Sequence, residues 1–87
     1  MKKILMFTMA GCPYCRKARQ WMNEVLEEHP EYKEIELEIV DEVVHRKRAS
    51  QYDYYYVPTY YVGGEKLHEG AASKDIILGV FRAAFEG

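Results

Sequence analysis

The stretch "KILMFT" (residues 3–8) is a continuous apolar run, and the residues after it fix how the chain can fold. An unbroken run of this kind marks a strand covered on both faces. It is followed by "CPYCRKARQWMNEVLEEH", in which Cys15, Ala18, Trp21, Met22, Val25 and Leu26 recur at three- and four-residue spacing with charged and amide residues between them. That periodicity predicts an amphipathic helix, with Pro13 in its first turn and Pro30 just past its end. "KEIELEIV" (33–40) then alternates Ile35, Leu37 and Ile39 against Glu34, Glu36 and Glu38, as a half-exposed strand at or near a sheet edge does. A strand–helix–strand unit of this length is parallel and right-handed.

The remaining chain adds few choices. "DEVVHRKRASQY" (41–52) reads as a short helix, while "PTYYV" (58–62), Gly63-Gly64 and "EKLHE" (65–69) read as a hairpin. Ser73 caps a last helix that carries Ile76, Ile77, Val80, Phe81, Ala84 and Phe85 on one face. The expected architecture is α/β: a four-stranded mixed sheet flanked by three helices in the order β-α-β-α-β-β-α, one domain over 1–87. With 87 residues there is room for one real core and little more.

Composition excludes some partners. A formal charge of -2 gives no reason to expect nucleic acid or an anionic membrane surface. No stretch approaches the ~20 apolar residues of a membrane-spanning helix. The start, "MKKILMFTMAGC", faintly suggests a lipoprotein signal, but its apolar run is short, contains Thr8, and would be lost with the central strand. The chain is therefore expected in the cytoplasm, where a cysteine pair is more often catalytic or metal-binding than a permanent staple.

Cys12 and Cys15 are the two cysteines of the chain, and they flank Pro13-Tyr14 where the first strand passes into the first helix. A thiol at that position faces the positive end of the helix dipole and unpaired N–H groups, with Arg16 and Lys17 one turn on; all lower its pKa. Cys15, inside the first turn, can approach it, so a dithiol that exchanges with a substrate disulfide through a mixed disulfide is the leading reading. Zinc is a rival, although His29, His45 and His68 stand singly and supply no second pair of ligands. A shared iron–sulfur cluster with Cys12 as ligand and a purely structural disulfide are the others. Pro58 opens a strand after a turn-like approach. By sequence alone a cis bond there is a minority outcome, about 5–6% of X–Pro bonds.

Strand, C-x-x-C, helix, "VPT" and a hairpin ending at Gly70 together resemble the thioredoxin/glutaredoxin superfamily over essentially the whole chain. "CPYCRKA" is similar to the glutaredoxin active site, and "VPTYYVGGEKLHEGAASKDIILGVF" to the very small thioredoxins. The resemblance implies a thiol–disulfide oxidoreductase with no metal or organic cofactor. It implies Cys12 as nucleophile, Cys15 as resolving thiol, a cis Pro58, backbone contacts from Val57 to substrate, and Gly70 and Ala71 at the groove's border. Disulfide-containing proteins are the implied substrates, acted on by a monomer. A disulfide reductase or glutathione is the implied electron donor, and glutathione is also the candidate co-substrate.

Departures bear on that choice. Met9 stands where glutaredoxins carry a Lys, and "GAASKD" is one glycine short of their glutathione-holding turn. No Asp lies in "KKILMFTM" to sit beneath the dithiol, as one does in larger thioredoxins. Eight tyrosines is a heavy use of one residue, and six of them surround Pro58. Tyr60 and Tyr61 must point to opposite faces, so at most one is expected in the core beside Trp21. Tyr54 to Tyr56 are expected to form an exposed aromatic patch, and Tyr14, at the tip between the cysteines, is expected to touch substrate.

Overall fold

The first strand does run through the middle of the molecule. A computed structural model describes residues 1–87. It contains β1 (Ile4–Thr8), α1 (Pro13–Glu28), a 3₁₀ turn (Pro30–Glu34), β2 (Leu37–Asp41), α2 (Arg46–Ala49), β3 (Thr59–Val62), β4 (Glu65–Glu69) and α3 (Lys74–Glu86). The sheet order is β2-β1-β3-β4. β2 is parallel to β1, as the connecting helix demands. β3 runs antiparallel to β1, and β4 antiparallel to β3.

Alternation along β1 divides the apolar residues between two layers. Ile4 and Met6 join Ala18, Met22 and Val25 of α1 and Ile77, Val80 and Phe81 of α3 on one face. Leu5 and Phe7 turn to the other face, with Val40, Ala49 and Tyr61 and the half-buried Tyr52, Tyr54 and Val57. Phe7 is the hub of this smaller layer. Its ring centroid lies 4.9 Å from both Tyr52 and Tyr54 and 6.1 Å from Tyr61. Aromatic rings at these separations attract one another beyond the area they bury.

Several boundaries differ from the sequence reading. β2 begins at Leu37, because Pro30 starts a 3₁₀ turn that runs to Glu34 and buries Tyr32 against α3. Ile39, on the edge strand β2, is 36% exposed instead of in the core; Val40, on the opposite face, is buried. Glu38 is not simply solvated. Arg48 of α2 and Lys3 of β1's approach both reach its carboxylate and hold its pKa down to about 2. α2 spans four residues, because the Asp41 carboxylate accepts from the Val43 and Val44 amides and turns the preceding segment. Tyr60 alone of its pair lies in the core beside Trp21, as expected, and Tyr61 is buried on the opposite face in a second layer. The hairpin follows expectation: Gly63 and Gly64 take φ of 58° and 86°, the turn that matches the twist of paired strands. Ser73 Oγ accepts from the Ile76 amide and opens α3, as its cap position requires.

The aromatic layer carries a stability consequence. Phe7→Ala removes the hub ring and leaves its partners facing a void, and such substitutions cost about 3–5 kcal/mol. Denaturant melts at neutral pH are expected to show a loss of that size, whereas Tyr54→Phe, which keeps the ring on Phe7, is expected to lose about 1 kcal/mol or less.

Candidate active site

β1 ends at Thr8, the chain turns through Gly11 at φ 79°, and Cys12 becomes the N-cap of α1. A Cys12 N–H donation to the Met9 carbonyl (3.3 Å) closes that turn. The Cys12 sulfur accepts from the Cys15 backbone N–H at 3.3 Å, the bond that a serine or aspartate oxygen makes in an ordinary cap. Pro13 sits at the first helical position, where its missing N–H leaves no bond unmade. No acidic residue lies in the first turn of α1, so the helix itself brings no negative charge against the sulfur.

The two thiols are placed unequally. Cys12 keeps 9% of its surface at the mouth of an open cleft of about 420 Å³; Cys15 keeps 2%. Burial pushes the Cys12 pKa up, but the Cys15 thiol, the Cys15 and Tyr14 amides and the Arg16 charge outweigh it, and the net direction is down. For Cys15 burial acts in the same direction and dominates. The neighbouring Cys12 adds to it, while the Thr8 hydroxyl and the Met9 backbone oppose it, and the net direction is up. The order of acidity therefore favours thiolate at Cys12 and thiol at Cys15. The Lys17 ammonium lies over the Trp21 ring, 5.4 Å from the centroid.

The other predicted residues gather at the same end of the sheet. Phe7 pairs with Thr59, so Pro58 falls beside the end of β1 and the turn that leads to Cys12. The Val57–Pro58 bond is cis, as the resemblance implies, and Pro58 is fully buried. The Gly70 N–H donates to the Pro58 carbonyl at 2.8 Å, and His68 Nε2 reaches the carbonyls of Gly70 (3.1 Å) and Ala71 (2.9 Å). Val57 is half-buried and Ala71 exposed. Tyr14 is 61% exposed on the tip, and Tyr55 and Tyr56 are exposed at 86% and 70%. Tyr54 departs from the expected patch: its ring packs on Phe7 and its hydroxyl donates to Glu42 at 2.8 Å.

Three cleft residues were not anticipated. Thr8 touches Cys15, and its place as the lone hydroxyl at the end of an apolar strand was the available signal. Asp41 ends β2, and its carboxylate accepts from the Ala10 amide at 3.3 Å, which ties the dithiol turn to the neighbouring strand. Arg19 lines the cleft with Arg16, three residues along α1. No sequence signal separated it from any exposed helical arginine. No group of three or more His, Cys, Asp or Glu side chains gathers in the fold as a metal cage would, and no helix is long and apolar enough to cross a membrane.

Comparison with known proteins agrees with this geometry. The glutaredoxin family model matches residues 4–67. Thioredoxin of Methanocaldococcus jannaschii is 30% identical over 76 residues, 87% of each chain. Among solved structures, an uncharacterized thioredoxin-like protein from Clostridium perfringens superposes with a TM-score of 0.71 at 23% identity, over 97% of this chain and 71% of that one. A structure described only as a malarial protein has a TM-score of 0.74 at 17% identity, over 97% of both chains. These two likenesses are of fold.

The unequal thiols predict unequal chemistry. Iodoacetamide is expected to label Cys12 below the pH range of an ordinary thiol, whose pKa is about 8.5, while Cys15 stays protected. Arg16→Ala is expected to move the Cys12 labelling profile to higher pH. Mass spectrometry of the labelled peptides checks both points. Equal labelling of the two cysteines would contradict the assignment.

Proposed function

The chain belongs to the glutaredoxin family within the thioredoxin/glutaredoxin superfamily, with a thiol redox role, and on that premise we propose that it reduces protein disulfides through Cys12 and Cys15. The observation that carries this reading is the inequality of the two thiols at one helix N-terminus: the more acidic one opens on the cleft and the less acidic one lies behind it.

The Cys12 thiolate attacks one sulfur of a substrate disulfide. That S–S bond breaks, the departing sulfur takes its electron pair and a proton from water, and a Cys12–substrate disulfide remains. Cys15 then loses its proton and attacks the Cys12 sulfur. The second substrate thiolate leaves, and Cys12 and Cys15 are left as a disulfide, two electrons having passed to the substrate. An external dithiol or a flavoenzyme reductase returns those electrons. Val57, Pro58, Gly70 and Ala71 flank the incoming strand, and Tyr14 touches it from the tip. No metal or organic cofactor enters a step, and the cytoplasm is the compartment that keeps such a dithiol reduced.

Preference for protein disulfides over glutathione follows from where charges lie. Glutathione carries two carboxylates and an ammonium, and its capture rests on charge-assisted hydrogen bonds worth about 1.5–3 kcal/mol each. Met9 offers no charge. Lys74, near the shortened "GAASKD" turn, is engaged by Glu28 at 2.6 Å and Glu24 at 3.3 Å and faces α1. Arg16 remains beside the dithiol and recovers part of the loss. Two missing partners weaken binding by roughly two to four orders of magnitude.

Side-by-side assays test the proposal. Insulin reduction with dithiothreitol as donor is expected to be efficient, and glutathione-coupled turnover of a small mixed disulfide poor. Cys12→Ser is expected to abolish both, and Cys15→Ser to accumulate mixed disulfides because attack continues without resolution. Robust glutathione-dependent turnover with sluggish insulin reduction would make the protein a glutaredoxin in activity as well as in family.

A further inference from the structure

Glu69 ends β4, opposite Thr59 at the start of β3. One of its carboxylate oxygens accepts two successive backbone amides, Tyr55 at 2.5 Å and Tyr56 at 3.0 Å. The other accepts from Lys66 Nζ at 2.7 Å, and that ammonium also donates to the Asp53 carbonyl at 3.1 Å. The Tyr61 hydroxyl donates to the same carbonyl at 2.8 Å, and the Thr59 hydroxyl to the carbonyl of Tyr56. Residues 53–56 have no regular secondary structure. Their backbone is fixed instead by side chains of the hairpin, with Glu69 at the centre.

The segment so fixed leads directly into Val57 and Pro58. Tyr56 stands next to Gly70: a Cβ built on that glycine would meet the Tyr56 Cβ at 3.9 Å. Tyr55 and Tyr56 point their rings outward while their amides are held inward by the carboxylate. A loop with two large exposed aromatics would cost entropy to order each time a partner bound; one already ordered does not. The carboxylate is far from any role in electron transfer, since its contacts are all with the hairpin and this loop.

We propose that Glu69 is a positioning residue for protein substrates: its carboxylate holds the Tyr55–Tyr56 backbone so that both rings and the Val57 backbone form a preordered surface for a disulfide-bearing polypeptide. The inference rests on the oxidoreductase reading and names what that reading leaves open, the part of the surface that separates a protein disulfide from a small one. A small disulfide needs only the dithiol and gains nothing from the aromatic pair. The low pKa of the carboxylate, about 2, agrees with its being ionised and fully engaged wherever the protein works.

The test compares Glu69→Met, which keeps the shape and removes both acceptors, with Glu69→Gln, which keeps one carbonyl oxygen for the two amides. Initial rates are measured against insulin and against a small aliphatic disulfide, with dithiothreitol as donor, alongside the rate of Cys12 alkylation. Glu69→Met is expected to raise KM for insulin about tenfold, with kcat, the small-disulfide rate and the alkylation rate within about twofold of the parent. Glu69→Gln is expected to recover most of the insulin KM. Amide hydrogen exchange is expected to show Tyr55 and Tyr56 protected in the parent and in Glu69→Gln, and open in Glu69→Met. Should Glu69→Met not fold, Glu69→Ala takes its place. The inference is overturned if the insulin KM does not move, if both substrates shift together, if Gln is no better than Met, or if the two amides exchange freely in the parent. A parent protein inert toward both disulfides would instead overturn the oxidoreductase reading, and this inference with it.

Discussion

One hydrogen bond joins the folding of this chain to its chemistry: the Cys15 backbone N–H donating to the Cys12 sulfur at 3.3 Å. It begins α1, and it also stabilises negative charge on the sulfur. Sulfur is a weaker cap than the oxygen of Ser, Thr or Asp, so the helix start gives up some stability. It gains an acceptor that can ionise and react. The bond exists because β1 is buried on both faces and ends abruptly, because Gly11 turns the chain, and because Pro13 can occupy the first helical position. Fix β1 and the parallel β2, and α1 must start where it does, with Cys12 at the sheet's carboxyl end.

Around that bond the fold supplies asymmetry without a buried carboxylate. Cys15 is enclosed and its pKa is raised first by that enclosure; Thr8 and Met9 are its polar contacts. Cys12 meets the amides, the neighbouring thiol and Arg16. The hairpin then fixes the approach to Pro58. Gly70 reaches Pro58, His68 reaches Gly70 and Ala71, and Glu69 reaches the segment before Val57. Every one of these contacts comes from residues 68–70, so the end of β4 holds the segment around Pro58 in place.

Much of this was legible before any coordinates. The unbroken run of β1, the three-and-four spacing of α1, the Gly63-Gly64 turn and the Ser73 cap each rest on local rules, and each appears where those rules put it. The failures share a cause as well. Ile39 alternates correctly with its neighbours, but alternation records which face a residue is on and not how far an edge strand is covered. Tyr54 leaves the exposed patch because the second layer is built by α2 and an irregular segment, which carry no periodic signal. The end of the 3₁₀ turn after Pro30 reads as strand because Glu34 continues the alternation in letters only. At the site, the cysteines and Pro58 stood out in sequence. Thr8, Asp41 and Glu69 did not, because their roles depend on residues 7, 31 and 14 positions away.

The central claim is that one helix N-terminus divides two neighbouring cysteines into an acidic, accessible thiol and a less acidic, enclosed one. Direct observation of both titrations tests it most closely, by following the Cβ resonances of Cys12 and Cys15 in the reduced protein across pH. The account predicts that Cys12 titrates first, below the ~8.5 of a free thiol, and that Cys15 titrates above it. Coincident titration of the pair, or Cys15 ionising before Cys12, would contradict it.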